Sequence, residues 1–161
     1  MKFLRRLPFF LLPFCASSLA IPAHAQSAQW PSAQTQKWNF LEDEAEPQFN
    51  LTWTQKSAAS GKFSVAFDYK DAKNFYALDF VPGSVSLRSV LNGNTTTLAK
   101  APLKFAPNTA FVLKRRPWAM ELIAGKNVVF TAFDATLNEG QIGSLASGGW
   151  NWSDVRVQPV E

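Results

Sequence analysis

The sequence predicts an all-β fold, an antiparallel sandwich of two sheets with about ten strands. Apolar residues alternate at period two from residue 48 onward, as half-buried strands require. Turn-forming residues interrupt that alternation at roughly 8- to 12-residue intervals. The 14 Phe and 6 Trp supply bulk for a space about 10 Å wide between two inner faces.

The strands follow in order. Phe49, Leu51 and Trp53 alternate with Asn50, Thr52 and Thr54. Phe63, Val65, Phe67 and Tyr69 alternate with Ser64, Ala66 and Asp68. Tyr76, Leu78 and Phe80 form the next inward set, then Val85 and Leu87 across the Pro82-Gly83 turn. Asn92-Gly93 is a hairpin signal, because both residues tolerate positive φ. "TAFVLKR", "WAMELI", "NVVFTAF", "GQIGSLA" and "DVRVQPV" complete the series. "PWAMELIAG" contains good helix formers, with Pro117 placed for a first turn and Gly125 for a cap. The alternation of Trp118, Met120 and Leu122 makes it a strand instead.

Residues 1–25 read as a secretory leader and not as part of the fold. Lys2, Arg5 and Arg6 precede the apolar run Leu7 to Phe14, and Ala23-His24-Ala25 has the small-x-small pattern of a cleavage site. The run is too short to span a bilayer. The expectation is an exported protein, periplasmic or secreted after cleavage near Ala25, with no membrane span in the mature chain. Residues 26–37 form a polar, flexible arm, and residues 38–161 form the sandwich.

Removing the leader changes the chemistry. Three of the 16 Lys and Arg lie in it and all 12 Asp and Glu lie beyond it, which leaves a mature charge of +1. A nucleic-acid footprint needs a clustered basic excess that this chain lacks. Cys15 and His24 are the sole residues of their kinds, and both leave with the leader. Zinc sites and Ser-His-Asp chemistry are thereby excluded from the mature domain. Carboxylates, Lys and Tyr remain for catalysis, and oxygen ligands remain for a metal such as calcium.

"FSVAFDYKDAKNFYALDF", "VSLRSVLNGNTTTLA", "AMELIAGKNVVFTAFDATLNEGQIGSLA" and "WSDVRV" occur in that order. Together they resemble the concanavalin A-like lectin/glucanase superfamily, in particular laminin G-like and 3-keto-disaccharide hydrolase domains. The resemblance covers about residues 62–157. It implies a jelly-roll sandwich that often binds sugars or protein surfaces. Relatives usually carry more strands before the "FNLTWT" equivalent, so the resemblance implies a sandwich trimmed at the N-terminus.

The acidic stretch "WNFLEDEAEPQFN" is the candidate for catalysis. Glu42, Glu44 and Glu46 fall at every second position, and glucanases of the superfamily carry Glu-x-Asp-x-Glu with apolar residues between. Alternate strand residues share a face, and carboxylates about 5–5.5 Å apart serve as nucleophile and acid/base. Here Asp43 would be turned to the core without a partner, and Pro47 removes a ladder donor. The favoured reading is a solvated loop.

The candidate ligand contacts are Trp150, Asn151, Trp152, Arg88 and Arg115. Aromatic faces beside an amide suit sugar stacking with hydroxyl hydrogen bonds, and core packing is the alternative for both tryptophans. For Trp152, Val155 and Val157 all to point inward, a bulge near Ser153-Asp154 is required. Trp30 and Trp38 are further candidates for exposure. Lys114-Arg115-Arg116 reads as a grip for an anionic glycan or, preferably, as a solvated strand end. Asp68, Asp71 and Asp134 are the weak calcium candidates, although Asp71 to Asn74 reads equally as a turn. No cofactor is required. The leading expectation is a non-catalytic module that binds a carbohydrate or envelope component. A carboxylate-dependent sugar hydrolase and a structural or protein-interaction domain are the alternatives.

Overall fold

The structure, a computed structural model, describes residues 26–27, 30, 37–57, 60–148 and 150–160, with backbone only at 26–27 and 42–44. The leader, residues 1–25, lies outside them. The described residues form twelve strands: β1 (Gln26–Ser27), β2 (Asn39–Ala45), β3 (Phe49–Gln55), β4 (Phe63–Asp71), β5 (Asn74–Val81), β6 (Ser84–Leu91), β7 (Asn94–Pro102), β8 (Thr109–Arg115), β9 (Ala119–Ala124), β10 (Asn127–Phe133), β11 (Gly140–Ala146) and β12 (Trp152–Pro159). Sheet I has the order β1-β12-β3-β8-β9-β10 and sheet II the order β2-β11-β4-β5-β6-β7. All pairings are antiparallel. The architecture is a jelly-roll sandwich. Among the described residues no helix is long and apolar enough to cross a membrane.

The inward residues are those given by alternation. Phe49, Leu51, Trp53, Phe111, Leu113, Met120 and Leu122 of sheet I meet Phe63, Val65, Phe67, Tyr76, Leu78, Phe80, Val85 and Leu87 of sheet II, all of them buried. Rings interlock across the gap: Trp53 lies 5.9 Å from Phe80 and Phe49 lies 6.4 Å from Phe67, both edge-on. Each such side chain contributes roughly 1.5–3 kcal/mol by leaving water. "AMELIA" is strand β9, as its alternation requires. The Asn92-Gly93 hairpin closes β6 on β7 with φ of 51° and 81°, the pair of positive angles a tight antiparallel turn needs.

Two expectations at the N-terminal end are corrected. The acidic stretch is not a loop: residues 39–45 form edge strand β2, whose Ala45 and Glu44 lie opposite Gly140 and Gln141 of β11. An edge strand has one ladder only and tolerates charge, and Pro47 falls after the strand has ended. Of residues 26–37 the structure describes Gln26, Ser27, Trp30 and Lys37; Gln26–Ser27 pairs with Val157 and Arg156 of β12, and Trp30 is not exposed. Trp30 is buried between Trp53, Phe63 and Trp152.

The bulge in β12 lies where the inward positions required it. Register shifts between Ser153 and Arg156, Asp154 takes φ of 56°, and Trp152, Val155 and Val157 are all buried.

Candidate functional site

The outer face of sheet II carries the arrangement best suited to a ligand. Alternation sends Ser64 and Ala66 of β4, Phe75, Ala77 and Asp79 of β5, and Ser86, Arg88 and Val90 of β6 away from the main core. Cross-strand register sets Asp79 opposite Ser64 and Ser86, and Ala77 opposite Ala66 and Arg88. Asp79 and Arg88 are therefore diagonal neighbours on adjacent strands, within reach of long side chains.

Asp79 holds three donors. Ser64 Oγ donates to its Oδ1 at 2.5 Å, Arg88 Nε donates to its Oδ2 at 2.6 Å, and Lys62 Nζ lies 3.1 Å from Oδ1. The carboxylate is nearly buried while the Lys62 and Arg88 side chains remain 47% and 22% exposed. The cations thus face solvent with their orientation fixed from beneath. Among the described residues, the terminal nitrogens of Arg88 make no hydrogen bond, so they are free to donate outward.

An aromatic layer adjoins this pair, with Phe75 buried and Trp38, Phe40 and Tyr69 half-buried around it. The Arg88 guanidinium lies 5.3 Å from the Phe75 ring centroid. Trp38 meets Phe75 edge-on at 5.9 Å and Tyr69 at 6.4 Å. Phe40 and Tyr69 lie 4.5 Å apart. Ala66, Phe75, Ala77 and Val90 form a small second apolar cluster beneath, with Trp38 and Tyr69 against it. Gly143 makes room for this layer, since a Cβ there would stand 2.7 Å from the Phe40 ring.

Of the ligand contacts singled out from sequence, Arg88 joins this face, as does Trp38, which was a candidate for exposure. Trp150 and Trp152 are in the core, 3% and 8% exposed. Trp150 packs on Phe63, Phe80 and Phe105, and Trp152 stacks on Phe63 at 4.5 Å. Neither offers a face to solvent, so the packing alternative describes both. Asn151 is exposed between them and its backbone oxygen accepts from Lys56 N.

Arg115 is not a solvated strand end. It is fully buried, donating from Nε to Asp68 Oδ2 at 2.8 Å and to the backbone oxygens of Arg116 and Leu137. It shares the inward parity of Phe111 and Leu113. Its neighbours are also engaged, Lys114 with Glu121 and Arg116 with Phe49 O and Asn50 Oδ1.

The three carboxylates considered for calcium serve separate ends. Asp68 sits in a bulge with φ of 47°, which turns its side chain inward to Arg115. Burial pushes the Asp68 carboxyl up, and the Arg115 guanidinium offsets part of that rise. Asp71 accepts from Lys73 N at 2.6 Å and from Asn74, bonds that hold it below the usual carboxylate range. Asp134 accepts from Tyr76 Oη at 2.6 Å and Thr136 N at 2.8 Å. Burial alone would raise it, but the bonds from Thr136 and Tyr76 hold it low. Among the described residues no three His, Cys, Asp or Glu side chains converge as metal ligands. Glu46 lies beyond the end of β2 and is exposed, so the three alternate glutamates do not share one strand; the side chains of Glu42 and Glu44 lie outside the described residues.

Sequence reasoning named Trp38 only as a candidate for exposure and missed Phe75, Lys62 and Asp79. The signal was present in the positions opposite in parity to the core, where small residues alternate with one acid and one arginine on neighbouring strands.

No protein-family model and no curated protein matches the chain. Solved structures do. The carbohydrate-binding module CBM66 from Bacillus subtilis superposes with a TM-score of 0.65 at 16% identity, covering 85% of this chain and 96% of that one. Sheep galectin-11 gives 0.57 at 9% identity, covering 86% and 98%. A candidate glycosyl hydrolase from Parabacteroides distasonis gives 0.55 at 8% identity, covering 76% of each. At these identities the likeness is one of fold, and the fold of this chain is the concanavalin A-like jelly-roll sandwich.

Proposed function

We propose that this protein is an exported, non-catalytic module that binds a carbohydrate of the cell envelope or surroundings through the outer face of sheet II. The observation that carries the reading is the adjacency of the half-buried Trp38 and Tyr69 rings, seated on buried Phe75, to the Arg88–Asp79 pair. Sugar rings present apolar C–H faces and hydroxyl rims, and an aromatic plane beside oriented donors matches both. The donors are held in place by a nearly buried carboxylate, so little rotamer freedom is lost on binding. Two of the similar structures are, by their own descriptions, a carbohydrate-binding module and a galectin, which supports the reading at the level of fold. The leader-like residues 1–25 support export.

A glycan array with the purified exported protein tests it. Selective retention is expected, reduced at least 10-fold in Trp38→Ala and in Arg88→Met, with chelator making no difference and no shortened products after incubation with the bound glycan. Retention unchanged in both variants would place binding elsewhere, and shortened products would make the protein a hydrolase.

A further inference from the structure

A second site lies away from that face, where the edge strands of the two sheets meet. The end of β7, the connection to β8 and the β9–β10 turn enclose an open cleft of about 720 Å³. Pro102, Leu103, Val128 and Val129 supply its apolar wall, while Asn108, Asn127, Lys104 and Lys126 supply donors. The frame is tied down: Leu103 N donates to Gly83 O at 3.0 Å, and Gly125 N donates to Ala110 O at 2.7 Å. Both lysines are exposed, and among the described residues neither makes an ion pair. Lys100, also without an ion pair there, stands two residues before Pro102 on β7. Among the described residues no carboxylate lines the cleft.

We propose that this cleft binds an acidic oligosaccharide, a sugar chain bearing carboxylates. Two unneutralised ammonium groups on separate connections favour a ligand with more than one negative charge, and charge-assisted hydrogen bonds to carboxylates are about twice as strong as neutral ones. The two asparagine amides match hydroxyls, and the valine–proline wall matches ring C–H faces. Among the described residues no aromatic lines the cleft, where single-stranded nucleic acid uses a stacking platform. The site is independent of the sheet II face and adds a charge preference to it.

The test compares α-linked tetragalacturonate with its fully methyl-esterified form, which keeps the backbone and loses the charge. With the exported protein in low salt, titration calorimetry is expected to give at least 10-fold tighter binding of the free acid, weakening as salt screens the charges. Amide resonances should shift within 102–109 and 124–129. The double variant Lys104→Met, Lys126→Met, whose side chains are at the surface, should lose at least 10-fold in affinity while Lys73→Met, an exposed lysine of the β4–β5 turn outside the cleft, loses none. The proposal is overturned if the tetragalacturonate does not bind, if the ester binds equally, if the double variant binds as before, or if Lys73→Met alone abolishes binding. Equal binding of an oligonucleotide of matched charge through the same lysines would overturn the ligand class.

Discussion

Arg115 on β8 and Asp68 on β4 bond across the sandwich, Nε to Oδ2 at 2.8 Å, with both side chains almost wholly out of water. The pair joins sheet I to sheet II in the interior, beside the aromatic and aliphatic core. The guanidinium also lies 5.5 Å from the Tyr76 ring centroid, and its remaining donors reach two backbone oxygens. Asp68 Oδ1 has no hydrogen-bond partner among the described residues. Removing one member of such a pair strands the other in low dielectric, at a loss of about 3–5 kcal/mol. Arg115→Met is therefore expected to lower the urea midpoint sharply. The double variant Asp68→Asn, Arg115→Met should recover at least half of that loss, because Asn keeps the positive-φ backbone and no charge is left unpaired. A double variant no more stable than Arg115→Met would refute the account.

Tyr76 extends the same network. Its hydroxyl donates to Asp134 Oδ1 and accepts from Leu137 N at 3.1 Å. Burial first, and then the bond to Asp134, push its pKa to about 12 from 10.0. A phenol raised in the folded state contributes stability that is complete below pH 10 and is lost as pH rises toward 12. The loss over that interval is about 2–3 kcal/mol. Ultraviolet titration of phenolate absorbance should show a later step from Tyr76 near pH 12, coinciding with alkaline unfolding. Tyr76→Phe should remove the later step and its pH dependence.

Asp134 sets the acid side. Its carboxyl is held below the ordinary value of 3.8, so its contribution is present above that value and disappears as pH falls through the folded value. Asp68 runs the other way. Raised by burial, it contributes most in acid and less as pH rises. Asp134→Asn is expected to be less stable at neutral pH and to lose less on acidification from pH 5 to pH 2. Equal slopes in denaturant titrations of the variant and the parent would contradict this.

The same network marks where sequence reading succeeded and where it stopped. Strand positions and the main core were legible because alternation at period two carries the physical requirement directly: Phe111 and Leu113 point inward, and so does every second residue. Arg115 obeys that parity too, but its charge argued for solvent, and the compensating Asp68 lies 47 residues away at a bulge that alternation does not reveal. The tryptophans near Gly148, offered as ligand contacts with core packing as the alternative, are both buried, and the bulge near Ser153-Asp154 that an inward Trp152, Val155 and Val157 require is present. On the sheet II face the members come from strands distant in sequence, Trp38 beside Phe75 and Lys62 beside Asp79. Their meeting depends on sheet order, which hydrophobic pattern leaves open. Arg88 was found because it is an arginine on a strand, without knowledge of what it faces.

The bulge itself can be tested at Asp154, which is exposed and has φ of 56°. Ser153 Oγ donates to its Oδ2 at 2.6 Å, a local bond of the kind that lets Asp tolerate the left-handed region. A branched side chain has no such relief, and left-handed backbone costs L-residues roughly 1–2 kcal/mol. Asp154→Val is therefore expected to destabilise by about that amount. Asp154→Gly should be near neutral, because glycine adopts this conformation without a Cβ clash. Since Val155 and Val157 depend on the bulge for their inward positions, the valine variant should also expose apolar surface and bind a hydrophobic dye near its melting temperature sooner than the parent. If Asp154→Val proves as stable as the parent in thermal unfolding, then β12 has slipped its register instead of paying for the strain, and protection of the Arg156 and Val157 amides from hydrogen exchange would shift accordingly.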